Sequence, residues 1–327
     1  MLSKNLAFTS LNRIARKAQR LDREISSMKM VLFSDHHRGK RDASDDFVQC
    51  EQTYLAALNY YDEQQFELGL LGDVDELWEN KVADVGDDYT EVMQAERKFY
   101  LTDRMYRIWG NHDDYWREEI IFDRYMGHSF KGLPVKEGYI INVLENGQRI
   151  GELVLVHGHQ GSLGSDRFST ISRFFVRVFW RNWQNLIGHK LTSPTKNLEI
   201  RSKTDRVMYE WAAKRSGTVL VCGHTHQPIF TSQSHLDQLE ELKNRGELEE
   251  AASDLLKQKQ VEQTHVEVKG RRKPCYFNTG CCSFSDGDIT GIELEDGKIR
   301  LVRWDINNLS RTVLIESELA IVLQKCE

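Results

Sequence analysis

The sequence predicts an α/β fold, because short apolar runs alternate along it with longer segments of helical composition. Five of the runs are short and rich in aliphatic residues, as buried strands are, and they cover residues 28–33, 66–71, 105–109, 153–156 and 218–222. Helices are expected between them. Apolar residues recur at three- and four-residue steps from Phe47 to Tyr61, and segments 91–103 and 113–125 have helix-forming composition.

Length, charge and cysteine usage narrow the class of protein. With 327 residues and a hydrophobic fraction of 40%, the chain is long enough to bury a large core. Its net charge of −6 argues against a general attraction to nucleic acid or to anionic membranes. The six cysteines show no CxxC spacing, the N-terminal stretch resembles no signal peptide, and no apolar run has the length of a membrane span. We therefore expect a cytoplasmic protein with free thiols.

We predict a single domain over residues 1–327 with two helical insertions, because no low-complexity linker and no internal repeat divides the chain. The first insertion, 161–215, is long, aromatic and basic, and we expect it to form a cap. The second, 232–260, is highly charged, and we expect a helical arm. Strands at 289–294 and 299–304, joined by a turn at Asp296-Gly297, predict a β-hairpin near the end of the chain.

Each of the five apolar runs is followed at once by residues that bind metal ions. These candidate ligands are Asp35, His37, Asp73, Asn111, His157, His224 and His226. Ligands of α/β sheets gather at the carboxyl ends of the strands, so the seven side chains are expected to form one site. Carboxylates mixed with imidazoles suit Mn²⁺, Fe or Zn²⁺ better than Mg²⁺ or Ca²⁺, and we favour Mn²⁺.

Seven ligands with one shared carboxylate are enough for two divalent ions. Two cations about 3.5–4 Å apart can clamp the attacking and leaving oxygens of a phosphoryl transfer, and a water bridging them loses a proton near neutral pH to supply hydroxide. The sequence therefore predicts a two-metal hydrolase that cleaves a phosphoester or pyrophosphate bond.

Five motifs carry a resemblance to a known family. They are Asp35-x-His37, Gly72-Asp73-x-x-Glu76, Gly110-Asn111-His112-Asp113, His157 and Gly223-His224-x-His226. In this order they resemble the calcineurin-like metallophosphoesterase family, over residues 31–284. The resemblance implies a four-layer α/β/β/α sandwich with the dinuclear site above two facing sheets.

The same resemblance implies a role for each site residue. Asp35, His37 and His226 would hold one metal ion, and Asn111, His157 and His224 would hold the other, with Asp73 bridging the two. His112 would protonate the leaving group or stabilise the charged transition state. Asp113 would orient His112 by a hydrogen bond.

Within that family, the chain most resembles the bacterial UDP-2,3-diacylglucosamine pyrophosphatase type. Glu76-Leu77-Trp78 resembles the end of that subgroup's second motif, the 161–215 insertion lies where the subgroup has a lipid-binding cap, and 276–280 resembles the strand and turn that follow its last ligands. The subgroup usually has Arg at the position of His112 and Asp at that of His159, and it lacks an arm like 232–260. A nucleotide-sugar or lipid-linked substrate is favoured, and a broad nucleotide or cyclic-nucleotide phosphodiesterase, a nuclease and a non-catalytic scaffold are the alternatives.

Several further residues are candidates for substrate contact. Arg38 and Asn80 are chosen because they follow the first and second motifs, and His159 because it lies two residues beyond a ligand. Arg173 and Arg177 belong to a basic stripe in the first insertion, where a solvated helix face and a phosphate-binding cap are equally weighted interpretations. The expected partner is a phosphorylated small molecule or lipid-linked substrate; nucleic acid is not expected, and segment 161–190 could also rest on a membrane surface.

Overall fold

Two seven-stranded β-sheets lie face to face in the computed structural model, which describes residues 3–42, 45–82, 87–161, 194–234 and 273–327. The first sheet contains, in spatial order, β1 (Gln19–Glu24), β6 (Gly138–Glu145), β7 (Gln148–Val156), β8 (Thr218–Cys222), β11 (Tyr276–Thr279), β9 (Pro228–Phe230) and β10 (Gln233–Ser234). The second contains β14 (Ser310–Glu318), β13 (Lys298–Asp305), β12 (Ile289–Glu295), β2 (Met30–Phe33), β3 (Glu67–Leu71), β4 (Met105–Ile108) and β5 (Val135–Lys136).

Helices cover the outer faces of the two sheets. The helices of the described chain are α1 (Lys4–Lys17), α2 (Glu51–Glu63), α3 (Thr90–Leu101), α4 (Glu119–Phe130), α5 (Pro194–Ala212) and α6 (Leu319–Gln324). Helices α2, α3 and α4 pack on the second sheet, where Tyr54 of α2 and Phe99 of α3 share a core with Val31 and Leu68. On the first sheet, α1 contacts β6, and α5 contacts β8 and β11. The layers therefore follow the predicted α/β/β/α order.

The main core lies between the two sheets. Leu32 and Leu71 of the second sheet belong to the same buried cluster as Val154 and Leu220 of the first. Strands β2 and β8 are buried along their whole length, as expected for strands covered on both faces. Because both faces of these strands are buried, the strands appear in the sequence as continuous apolar runs.

Strand direction places the ends of the predicted strands at one edge of the sandwich. In the second sheet, β2, β3 and β4 are parallel neighbours, and in the first sheet β7, β8 and β11 are parallel neighbours. Their carboxyl ends therefore lie together, and the loops that follow them meet above the two sheets.

Most of the predicted elements are confirmed. All five apolar runs contain strands, the 47–61 helix face belongs to α2 and the turn before it, and the hairpin at 289–304 is formed by β12 and β13. The helix predicted to begin at 113 begins later, because a 3-10 turn at Asp114–Arg117 comes first. The Asp113 side chain accepts hydrogen bonds from the backbone of Val74 and Gly110 and therefore does not cap a helix.

The two insertions fall mostly outside the described residues. Of the first, only 161 and 194–215 are described, and this part includes α5; of the second, only 232–234 are described. The cap and the arm therefore stay predictions. None of the helices in the described ranges combines the length and the apolar character needed to cross a bilayer.

Candidate metal centre

Loops that follow five strands bring the predicted ligands together. The described structure contains three groups of potential ligands, and within each group the ligand atoms lie within 4.8 Å of one another. The groups are Asp35 with His37 and His226, Asp73 with His157 and His224, and His37 with Glu76 and His112. Six of the seven predicted ligands thus fall into two groups that match the predicted pair of metal sites. The seventh, Asn111, lies in the loop after β4 beside His112, whose backbone N–H donates to Asp73 Oδ1 at 2.8 Å.

The backbone at these positions is strained. Asp35, His37, Asp73, His224 and His226 have positive φ angles of 55°, 53°, 50°, 72° and 56°. The left-handed conformation costs a residue other than glycine about 1–2 kcal/mol, so it persists only where the surroundings hold it. Here the loops hold one another, because the N–H of Asp35 donates to Gly72 O at 3.1 Å and that of His37 to Asp73 O at 3.0 Å. Strain concentrated in this way is typical of functional sites.

Glycine at 110 is required by the close approach of two of these loops. A Cβ atom built at Gly110 would overlap the carboxylate of Asp73. The 110–113 loop can therefore come near enough for the N–H of His112 to bond that carboxylate. The absence of a side chain at Gly110 therefore allows this loop to hold the carboxylate of Asp73.

The first ligand group has the spacing of side chains that share a cation. Nε2 of His37 lies 3.2 Å from Nε2 of His226, and the latter nitrogen lies 3.2 Å from Asp35 Oδ1. Ligands bound tetrahedrally at about 2.0–2.2 Å from a metal lie roughly 3.3–3.6 Å from one another. Nδ1 of His37 faces Glu76 Oε2 at 3.0 Å, so a proton on Nδ1 leaves Nε2 as the coordinating atom.

Three predicted ligands, from both predicted metal sites, present buried atoms with no hydrogen-bond partner. Within the described residues, Asp35 Oδ1, Asn111 Oδ1 and His157 Nε2 are buried and unsatisfied. His157 Nε2 lies 3.0 Å from Asp73 Oδ2 but lacks hydrogen-bond geometry, and its Nδ1 faces Leu71 O at 2.8 Å. A proton on Nδ1 makes Nε2 an acceptor. Because an unsatisfied buried polar atom costs about 1–3 kcal/mol, these lone pairs fit divalent cations.

The carboxylates of the site raise the pKa of two histidines that are predicted metal ligands. Burial lowers the pKa of His37, but its bond to Glu76 and the charge of Asp73 outweigh burial and raise the pKa to about 10. Burial likewise lowers the pKa of His157, and the charges of Asp73 and Asp35 raise it to about 9. Since metal ligands must be deprotonated, cation binding would displace these protons.

A family comparison agrees with this geometry. The model of the calcineurin-like phosphoesterase family matches residues 28–228, a stretch that contains every predicted ligand. The chain belongs to the calcineurin-like phosphoesterase family. No curated protein matches the chain. The family and the ligand groups together support a phosphoester hydrolase, and the sandwich fold is the one that the sequence predicts.

Solved structures give only distant similarity. A mutant of vacuolar protein sorting 29 from Entamoeba histolytica is 14% identical with a TM-score of 0.34, over 89% of this chain and 99% of that one. The same protein from Cryptosporidium parvum is 14% identical with a TM-score of 0.33, over 89% and 96%. A predicted phosphoesterase from Streptococcus pneumoniae is 12% identical with a TM-score of 0.30, over 86% and 90%.

Glu76 is a site residue that the prediction missed. Its carboxylate contacts Nδ1 of both His112, at 2.6 Å, and His37, at 3.0 Å, and accepts the backbone N–H of Trp78 at 3.0 Å. Burial raises the pKa of Glu76, but the charge of His112 lowers it to about 2, so Glu76 is a carboxylate at neutral pH. The signal was present in the sequence, because Glu76 ends the second motif three residues after Asp73.

The role predicted for Asp113 is wrong in this structure. Its carboxylate accepts the N–H of Gly110 at 2.6 Å and that of Val74 at 3.0 Å, and lies 3.7 Å from Arg107. Asp113 therefore ties the second and third motif loops together, and Glu76 orients His112.

The His112 ring is held on its other side by an aromatic residue. The indole of Trp78 stacks on it with the ring centres 3.9 Å apart and the planes at 19°, and Nε1 of Trp78 donates to Asn111 O at 2.7 Å. The Trp78 residue is 43% exposed. Trp78 therefore forms part of the rim of the site.

The predicted substrate contacts are placed in different surroundings. The ring of His159 is buried beside the site, 5.1 Å from that of Trp109 and 5.4 Å from that of His157. Burial, with the charge of His157, holds its pKa well below the usual range, so His159 is neutral. Asn80 is also buried, and its Nδ2 donates to Glu76 O at 3.0 Å. Arg173 and Arg177 lie outside the described residues.

Arg38 does not fit its predicted role. Its guanidinium is buried and donates to Asp75 Oδ1 at 3.2 Å and to Glu96 Oε1 at 3.0 Å. A side chain held by two buried carboxylates beneath the motif loops is not available to a phosphate in the cleft. Arg38 supports the loop that carries Asp73 and Glu76.

Proposed function

We propose that this phosphoesterase hydrolyses a phosphoester or pyrophosphate bond with two divalent metal ions, of which Mn²⁺ is favoured. Asp35, His37 and His226 would hold one ion, Asn111, His157 and His224 the other, and Asp73 would contact both. The observation that carries the proposal is the position of Asp73, whose carboxylate lies 3.0 Å from Nε2 of His157 in one group and whose backbone oxygen accepts the N–H of His37, in the other group, at 3.0 Å. A carboxylate between two ligand groups is what a bridged pair of cations needs.

The bound cations would lower the pKa of a water molecule and neutralise charge on the phosphoryl oxygens. The chain's own residues do the remaining work. Nδ1–H of His112 donates to Glu76, so in the doubly protonated ring Nε2–H is the group that gives a proton to the leaving oxygen. Trp78 and Glu76 fix the plane of this ring between them, and a fixed ring meets the leaving group without reorganisation.

The favoured substrate class is a nucleotide-sugar or lipid-linked diphosphate. The resemblance of the second motif to the UDP-2,3-diacylglucosamine pyrophosphatase type supports this class, as does Trp78, an exposed aromatic rim beside His112. A broad nucleotide phosphodiesterase, a nuclease and a scaffold without activity are the outcomes against which the proposal is tested.

The test is hydrolysis of bis-p-nitrophenyl phosphate by the full chain with Mn²⁺. We expect turnover that EDTA abolishes and Mn²⁺ restores, and a loss of at least about a hundredfold in Asp73→Ala, because this variant loses a ligand of both cations. Asp46→Ala, which changes an exposed carboxylate outside the site, is the matched control and should retain activity. Absence of turnover, or equal turnover in Asp73→Ala, would favour the scaffold. Salt-sensitive cleavage of DNA, in place of small diphosphates, would favour the nuclease.

A further inference from the structure

A basic cleft opens at the same edge of the sandwich as the metal centre. It has a volume of about 290 Å³, close to the lower limit of ligand sites, and lies where the chain passes from β5 of the second sheet to β6 of the first. Its charged lining residues are Arg13 and Lys17 of α1 and Lys136 and Glu137 of the crossing segment.

The charge of the cleft is positive. Glu137 is the acid of the lining, and Arg13 neutralises it with a hydrogen bond of 2.6 Å. In the part of the chain that the structure describes, the ammonium groups of Lys17 and Lys136 form neither a hydrogen bond nor an ion pair with protein atoms. Two exposed cations that line the cleft are therefore available to an anion.

Each of these lysines is also suited to its own element, but the two elements are different. Lys17 lies in the last turn of α1, where the helix dipole favours a cation. Lys136 is at the end of β5, an edge strand of the second sheet, where a lysine discourages pairing with another chain. Convergence of two lysines from different elements on one cleft is the arrangement that binds a phosphate group as a point charge.

The cleft adjoins the metal centre by two short routes. Gly138, which lines it, pairs with Val156 in the β6–β7 ladder, one residue before His157. Opposite residues in such a ladder have Cα atoms about 4.5–5.5 Å apart, and consecutive Cα atoms are about 3.8 Å apart, so Gly138 and His157 lie within about 10 Å. On the other route, the N–H of Trp109, two residues before Asn111, donates to Lys136 O at 3.0 Å.

We propose that this cleft binds a second phosphate group of the substrate, several bonds away from the phosphorus that is attacked at the metal centre. The inference rests on the proposed function and adds to it a substrate class, namely phosphoesters that carry a further phosphate. Lys17 and Lys136 contact that phosphate, and Arg13 stays bonded to Glu137. Substrates with a single phosphate leave the cleft unused.

Two chromogenic substrates test this, because they differ only in the second phosphate. They are thymidine 5′-(p-nitrophenyl phosphate) and the same ester with a 3′-phosphate, assayed with Mn²⁺ and the full chain. We expect the KM of the 3′-phosphorylated ester to be lower by about tenfold, the effect of about 1.4 kcal/mol. In the double variant Lys17→Ala, Lys136→Ala this advantage should disappear, while kcat and the KM of the other ester stay unchanged.

The control is the double variant Lys131→Ala, Lys325→Ala, which removes the same charge from exposed positions elsewhere. It should keep the difference in KM. If the control variant also loses the difference in KM between the two esters, the effect comes from the overall positive charge of the protein. If the cleft variant keeps that difference, Lys17 and Lys136 do not contact the second phosphate. Either result overturns the inference.

Direct binding separates this inference from the proposed function. If neither ester is turned over, the proposed function fails, and calorimetric titration of thymidine 3′,5′-bisphosphate into the full chain still tests the cleft. Weaker binding in the cleft variant, with inorganic phosphate binding at least about tenfold more weakly than the bisphosphate, supports the inference. Inorganic phosphate that binds equally well would show a site for the free ion and overturn the assignment to the substrate.

Discussion

The carboxylate of Glu76 accepts a hydrogen bond from Nδ1 of His112 at 2.6 Å. The same carboxylate faces Nδ1 of His37 at 3.0 Å, so one buried acid aligns a candidate metal ligand and the candidate proton donor. Groups that orient metal ligands in this way are worth about 10–100-fold in affinity or activity. Glu76 therefore couples the two parts of the site.

From this we predict that Glu76→Gln lowers kcat for bis-p-nitrophenyl phosphate by about 10–100-fold, since the amide has a similar shape but no charge to hold the imidazoles. Mn²⁺ affinity, measured by calorimetry, should fall as well, because His37 is less well aligned. Glu91→Gln in the first turn of α3 is exposed and should behave as the native chain. A native kcat in Glu76→Gln would assign His112 a role independent of Glu76.

Trp78 offers a second test, because its two contacts can be removed separately. Trp78→Phe keeps a ring over His112 and loses the donation from Nε1 to Asn111 O, and Trp78→Ala loses both. We expect a fall in kcat of about fivefold for Trp78→Phe, the effect of one hydrogen bond of about 1 kcal/mol, and a larger fall for Trp78→Ala. Circular dichroism should show native spectra for both. Equal activities in the two variants would mean that the stack has no function.

Metal binding should stabilise the fold, because the unfolded chain does not assemble the site. Mn²⁺ at about 100 times its Kd should add roughly 2.7 kcal/mol and raise the Tm by a few degrees. EDTA should reverse the rise, and Asp73→Asn should reduce it strongly. Differential scanning calorimetry measures this shift without any assumption about the substrate. A Tm that Mn²⁺ leaves unchanged would contradict the assignment of the ligands.

The candidate ligand groups can be predicted from the sequence because each part of the signal is local. An apolar run gives the strand, the residues directly after it give the ligands, and the parallel direction of neighbouring strands brings the loops together. Asp35 and His226 can each be recognised as a candidate ligand from the residues next to it in the sequence. Their convergence follows from the shared edge of the two sheets.

Features that depend on distant partners escaped prediction. Strand β1 is polar and only partly buried, so it has no apolar pattern. Backbone hydrogen bonds hold it beside β6, and the ion pair of Arg23 with Glu67 of β3, at 2.7 Å, ties it to the second sheet. Arg38 follows the first motif in the sequence, but its buried partner Glu96 is far away in the chain. Position near a motif therefore predicted the candidate ligands but misjudged Arg38, which supports the loop that carries two of the site residues.

The buried charges beneath the motif loops give the last prediction. Arg107 is fully buried, donates to Asp75 Oδ2 at 2.5 Å and lies 3.7 Å from Asp113. Arg107→Met fills a similar volume but leaves the Asp75 carboxylate with one fewer cation, so the free energy of unfolding in urea should fall by about 3–5 kcal/mol. The exposed ion pair of Arg117 with Glu118 is the contrast, and Arg117→Met should cost less than about 1 kcal/mol.

Similar losses in these two arginine variants would mean that the buried network contributes no more than a surface pair. Because Asp113 also ties the loop of Asp73 to that of Asn111, Arg107→Met should in addition weaken Mn²⁺ binding. A destabilised variant with native Mn²⁺ affinity would separate the stability of the fold from the alignment of the ligands, and would assign Arg107 to the fold alone.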